Sequence, residues 1–179
     1  METTTMTRQP ATDEYAPYYK TYVDAVKTDD IVAFLEEQKS LELDFLRNIK
    51  WEKWELAYAP DKWTLAEVVI HAIDTERIFA YRALRIARGD KTPLPGFDQN
   101  PYVPNSGAAS RTPASIADEF AAVREATIHL FKNFTDEMWD RRGTASDFEV
   151  STLALAFMIG GHTAHHLNVI RERYLANGG

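Results

Sequence analysis

Apolar positions recur at helical spacing in four long stretches of the chain. After Thr28, Asp29 and Asp30, which supply an N-cap and an acidic first turn, Ile31, Phe34, Leu35, Leu41, Phe45, Leu46 and Ile49 give a first helix its apolar face. Thr64-Leu65-Ala66-Glu67 reads as a capping box, with Trp63 and Val68 placed as a hydrophobic staple, and opens a second helix running to about Gly89. Thr112-Pro113, an N-cap followed by proline at the first helical position, opens a third helix to about Asn133, with Ile116, Phe120, Val123, Leu130 and Phe131 inward. Ser151 caps a fourth helix that ends before Gly178. Four long amphipathic helices define an all-α fold, a four-helix bundle.

The connections are less regular. Residues 1–14 show no periodicity and are expected to form a mobile tail; Tyr15, Tyr18, Tyr19 and Tyr22, interrupted by Pro17, form an aromatic arm expected to pack across the bundle. Trp51, Trp54 and Tyr58 lie in a linker that ends in Pro60-Asp61-Lys62. Between residues 90 and 112, Pro93, Pro95, Gly96, Pro101, Pro104 and Gly107 forbid a long helix, leaving a loop too long for a simple connection. It reads as a crossover spanning the bundle or as a lid bordering a pocket, in which Phe97, Asp98 and Tyr102 are candidate ligand contacts. Ordinary turn hydrogen bonding accounts for Asp98 equally well. Thr135-Asp136-Glu137 caps a short turn through Trp139, and Arg141 to Phe148 read as a polar loop.

Composition narrows the partners. A length of 179 residues suits one domain, residues 1–179, with a sizeable core. Twenty Lys and Arg against 27 Asp and Glu give a net charge of −7, which argues against nucleic acid and anionic membrane surfaces as partners. The absence of cysteine excludes a disulfide scaffold, a thiolate metal site and a cysteine nucleophile, so any thiol chemistry needs an external thiol. It also fits a cytoplasmic protein. The N-terminus has no apolar signal-type segment and no run reaches the roughly 18 apolar residues of a membrane span.

The chemistry lies in the fourth helix. Leu155, Met158, Ile159, His162, His166 and Val169 share one face, so two imidazoles interrupt an apolar stripe. Buried without partners, each would cost about 1 to 3 kcal/mol. A divalent metal would satisfy both, as would hydrogen bonds from side chains of neighbouring helices. His165 is turned aside from His162 by about 60°. Thr163 stands where a zincin carries its general-base Glu, so a protease mechanism is not supported. Gly160-Gly161 costs helix stability and points to close approach of another backbone. His71, on the second turn of the second helix, is the candidate third imidazole, completing the number a catalytic metal site typically uses. Asp74 on the same face is a candidate acceptor orienting an imidazole, or simply a surface charge. His129 has no partner at ligand spacing and reads as a surface residue.

Lys62-Trp63-Thr64-Leu65-Ala66-Glu67-Val68 leading to His71, then Asp74-Thr75-Glu76-Arg77, Pro95-Gly96-Phe97-Asp98-Gln99 and Gly161-His162-Thr163-Ala164-His165-His166 together resemble the DinB-like superfamily of metal-binding four-helix bundles, which includes the YfiT-type proteins. The resemblance covers almost the whole chain. It implies metal ligands at His71, His162 and His166, nickel or zinc as the ion, an unusual helix order and a homodimer. Members of the family with known activity are thiol transferases, which add a low-molecular-weight thiol to an electrophilic small molecule, and thiol-dependent isomerases. Hydrolysis by metal-bound water and a non-catalytic metal-binding bundle are the alternatives, since a ligand triad does not select a reaction.

Overall fold

The computed structural model describes residues 8–176. A short 3-10 turn at Pro17–Tyr19 leads into helix α1 (Lys20–Ala25), followed by α2 (Ile31–Asn48), α3 (Leu65–Ala87), the one-turn α4 (Gln99–Tyr102), α5 (Pro113–Lys132), the short α6 (Asp136–Asp140), strands β1 (Arg142–Ala145) and β2 (Phe148–Ser151), and α7 (Thr152–Val169). A π-helical segment, Ile170–Leu175, extends α7. No helix among the described residues is long and apolar enough to cross a membrane.

The caps follow the sequence closely. Thr64 and Glu67 form the capping box of α3, Thr112 accepts from the backbone N–H of Ser115 at the start of α5, and Ser151 accepts from that of Ala154 at the start of α7. At α2 the cap is Asp30, which accepts from the N–H of Ala33; Thr28 instead closes a turn onto Asp30.

α2, α3, α5 and α7 form the bundle. α2 and α3 each pack against both α5 and α7, so they face one another across the core diagonal. α2 and α5 run antiparallel, tied by Lys132 to Glu36, Lys39 to Glu125 and Arg47 to Asp118. The N-terminal turns of α3 and α5 share one apolar cluster and their C-terminal turns share another, so these two are parallel and the order is up-down-down-up. Parallel neighbours oblige the 88–112 segment to return the length of the bundle, which explains its length.

Two apolar clusters fill the interior. Val26, Leu35, Phe79, Ile86, Phe131, Trp139 and Phe157 belong to one end, and Leu46, Trp54, Leu65, Ile73, Ile116, Phe120 and Leu167 to the other. A polar layer divides them. Arg124, fully buried, makes a two-pronged ion pair with Glu76 at 2.9 Å on both arms, and donates to Gln38 Oε1 at 2.7 Å and Thr163 Oγ1 at 3.0 Å. One residue from each bundle helix is thereby locked into a single network.

Two expectations are corrected. Residues 8–14 pack against the body of the protein: Glu14 is buried, bound by Arg8, and its carbonyl accepts from the N–H of Ser151, while Asp13 pairs with Arg142. Residues 1–7 of the expected tail lie outside the described residues. The segment read as a polar loop contains an antiparallel hairpin, β1 paired with β2, turning through Ser146 and Asp147, both at positive φ (52° and 66°). That is the backbone of a two-residue hairpin turn, written here without the glycine that usually signals it. In the aromatic arm and the linker after α2, Tyr15 and Trp54 are core residues, whereas Tyr18 and Trp51 are exposed.

Candidate metal centre

α3 and α7 run antiparallel in direct contact, which sets the second turn of α3 against the last turns of α7. His71, His162 and His166 meet there: one ring nitrogen from each lies within 4.8 Å of the others. His162 Nε2 and His166 Nε2 are 3.1 Å apart, and the His71 ring centroid is 5.0 and 4.8 Å from those of His162 and His166. The i, i+4 spacing in α7 brings its pair together, and the helix contact supplies the third. His165 is exposed and turned away, packing its ring on Tyr22, and His129 is exposed beside Glu125 on α5.

Burial drives all three imidazoles toward the neutral form. It lowers His71 from its ordinary 6.5 to about 4 and, reinforced by His71 and His165, His166 to about 3. His162 is pushed well down, by burial first and by the neighbouring rings second. Neutral rings have lone pairs to give.

The donor set fits a divalent ion. Imidazole nitrogens about 2.0 to 2.1 Å from one ion lie roughly 3 Å apart, the separation found between His162 and His166. Among the described residues, none of the three rings bonds to a side chain of a neighbouring helix, so the alternative of histidines satisfied across the bundle lacks its partners. Thr75, one turn beyond His71, adds a buried hydroxyl with no hydrogen-bond partner on the same wall.

A cavity of about 430 Å³ opens onto the three imidazoles, walled by Tyr19, Tyr22, Trp63, Phe79 and Phe97. Burial raises the Tyr19 phenol to about 12 and raises that of Tyr22, so both stay neutral. None of the lining residues is an Asp, Glu, Lys or Arg.

Gly161 explains how the aromatic arm reaches the site. A Cβ there would lie 1.9 Å from the carbonyl oxygen of Tyr22, so only glycine lets α1 rest on α7 and place the Tyr22 ring 5.2 Å from that of His162. The expected backbone approach at the glycine pair is therefore α1.

The other predicted site residues divide. Phe97 lines the cavity, but Tyr102 lies behind it, ring centroids 5.8 Å apart, and Asp98 faces away, its side chain capping α4 through the N–H of Asn100. Asp74 pairs with Arg77 at 3.5 Å and makes no hydrogen bond to a histidine among the described residues, so it does not orient an imidazole here. Arg82 is buried and structural: it donates to Pro95 O at 2.8 Å and Ser146 Oγ at 3.0 Å, pinning the long loop and the hairpin beside Phe97. Arg124 and Gln38 carried no role in the sequence reading. Their signal was present, a charge and an amide on the apolar stripes of α5 and α2.

The fold and the site together define a four-helix bundle with three converging imidazoles at the foot of an aromatic cavity. The sequence model of the DinB superfamily matches residues 34–170, and the chain belongs to that superfamily. Its structure is similar to one described as "YfiT from Bacillus subtilis is a probable metal-dependent hydrolase with an unusual four-helix bundle topology", with 15% identity, a TM-score of 0.64, and coverage of 88% of this chain and 93% of that one. At that identity the likeness shows the fold. No curated protein sequence matches the chain.

Proposed function

We propose that this chain is a metal-dependent enzyme in which His71, His162 and His166 hold one divalent ion, nickel or zinc, and which transfers a low-molecular-weight thiol to an electrophilic small molecule. The observation that carries this reading is the set of three neutral imidazoles, His71 and His162 buried and His166 half-buried, facing one point at the foot of an open cavity. A divalent ion held by three neutral ligands keeps its double charge and lowers the pKa of a thiol or water that joins it. The chain's own part is to hold the rings neutral by burial, to exclude bulk water with aromatic walls, and to orient a flat substrate between Phe97 and Tyr22.

Hydrolysis is the second reading, and the similar YfiT is described as a probable metal-dependent hydrolase. The cavity wall favours the thiol. Hydrolysis by a metal-bound water is helped by a carboxylate that takes its proton and hands one to the leaving group; among the described residues none lines the cavity, and Thr163 is engaged by Arg124 inside the bundle. A thiol, with an ordinary pKa near 8.5, ionises with far less help.

The test begins with metal. Purified protein stripped and reloaded with one metal at a time should bind one ion per chain; His166→Ala should lose it and His129→Ala should keep it. Equal occupancy in both variants refutes the ligand set. Loaded protein is then screened for thiol conjugation and for ester hydrolysis side by side, and hydrolysis without conjugation selects the second reading.

A further inference from the structure

A second cavity, about 410 Å³, adjoins the first at the imidazoles, and Trp63 and His166 line both. Its walls are aromatic: Tyr58 and Tyr174 meet edge to face at 5.1 Å, and the Tyr174 hydroxyl donates to the Trp63 carbonyl at 2.6 Å, fixing that wall. Its rim carries opposite charges on adjacent residues, Asp61 and Lys62, both exposed and neither in an ion pair among the described residues. Asp61 has φ 60°, the left-handed region, which a non-glycine residue enters at a cost. The strained turn sets a carboxylate and an ammonium side by side at the mouth of a pocket that ends at a candidate metal ligand.

We propose that this cavity binds an amino-acid-type zwitterion, with Lys62 receiving its carboxylate, Asp61 its ammonium, and its side chain lying against the aromatic walls toward His166. Resting on the proposed thiol transfer, it is the subsite of the thiol cosubstrate, which is therefore of the amino-acid or short-peptide class, while the electrophile occupies the cavity lined by Tyr22 and Phe97. A ligand bearing one charge leaves the other rim residue without a partner. Each exposed ion pair contributes modestly, so the preference for the zwitterion is about three- to fivefold over either single-charge analogue.

The probes are S-methyl-L-cysteine, 3-(methylthio)propanoate and 2-(methylthio)ethylamine, which share a body and differ in charge. Binding is read from the indole N–H resonance of Trp63, assigned with Trp63→Phe, using the full chain both metal-loaded and metal-free. S-Methyl-L-cysteine should bind tightest. Lys62→Met should erase its advantage over the amine. Asp61→Asn, which keeps a residue tolerant of the left-handed turn, should erase its advantage over the propanoate. Equal affinities for the three probes, no shift at Trp63, or unchanged preferences in both variants overturns the proposal. His71→Ala should retain the preference; a parent chain that takes up no metal yet still selects the zwitterion removes the proposed function and leaves this binding site standing.

Discussion

Gly161→Ala isolates one contact on which the site depends. The added Cβ would sit 1.9 Å from Tyr22 O and 2.5 Å from its carbonyl carbon, whereas an ordinary contact needs more than 3.4 Å. One of two helices must therefore move by over an ångström, and both contacting atoms are backbone, which has no rotamer to escape into. Overpacking of this kind costs about 1 to 3 kcal/mol, set against about 1 kcal/mol gained by replacing a mid-helix glycine. We place the result at the upper end, a net loss near 2 kcal/mol, because the clash is with main chain. For a chain of this size that lowers Tm by about 4 to 8 °C. Gly160→Ala is the internal control: its Cβ would lie 3.0 Å from the edge of the Phe34 ring, which can turn, so stability should stay within about 1 kcal/mol of the parent. Thermal unfolding of metal-free protein gives both numbers, and near-ultraviolet circular dichroism reports whether the Tyr22 environment changes. If the two variants melt together, close approach of α1 is not what the glycine pair provides.

Metal-free protein should lose stability as pH falls from 6.5 through about 4. His71 takes up its proton near 6.5 when unfolded but only near 4 when folded, so below 6.5 the unfolded chain binds more protons. That one ring carries a few kcal/mol, and urea titrations at pH 7 and 4.5 giving the same midpoint would contradict its burial. Phe97→Ala should weaken turnover while leaving metal content unchanged, whereas Tyr102→Ala, one layer behind, should change neither; steady-state kinetics with metal analysis separates them. The chain should sediment as a homodimer at micromolar concentration, and Trp51→Ser should shift it toward monomer, since Trp51 is 61% exposed; a monomer at every concentration removes the expectation.

Much of this architecture is legible in the sequence because local chemistry dictates it. Caps at Thr64, Thr112 and Ser151 are decided by a few neighbouring residues, and the i, i+4 geometry of His162 and His166 needs only a helix. What escapes depends on distant partners. The β1–β2 turn has no glycine to announce it, and Leu94 from the long loop pairs with β1 across fifty residues of chain. Asp74 shares a helix face with His71, but sharing a face does not decide what lies opposite: Arg77, one turn on, takes the carboxylate. Asp98 and Tyr102 show the same limit, since proximity in a loop does not fix which side chains turn inward.

The polar layer connects these levels. Gln38, Glu76, Arg124 and Thr163 come one from each bundle helix, between the two apolar clusters and at the level of the imidazoles. Apolar stripes slide past one another at small cost, whereas a four-way network with fixed donors and acceptors admits one axial register. Thr163 adjoins His162, and Glu76 lies five residues beyond His71, so the register of this layer sets where α3 and α7 bring their histidines. Arg124→Met alone leaves Glu76 buried without its partner and should cost about 3 to 5 kcal/mol. The double variant Arg124→Met with Glu76→Leu replaces the pair by apolar volume and should recover most of that stability, as buried pairs exchanged for hydrophobic residues commonly do. If the layer sets register, the double variant still binds metal at least tenfold more weakly than the parent despite its restored Tm. A double variant that is as stable as the parent and binds metal equally tightly would show that packing alone aligns the three imidazoles.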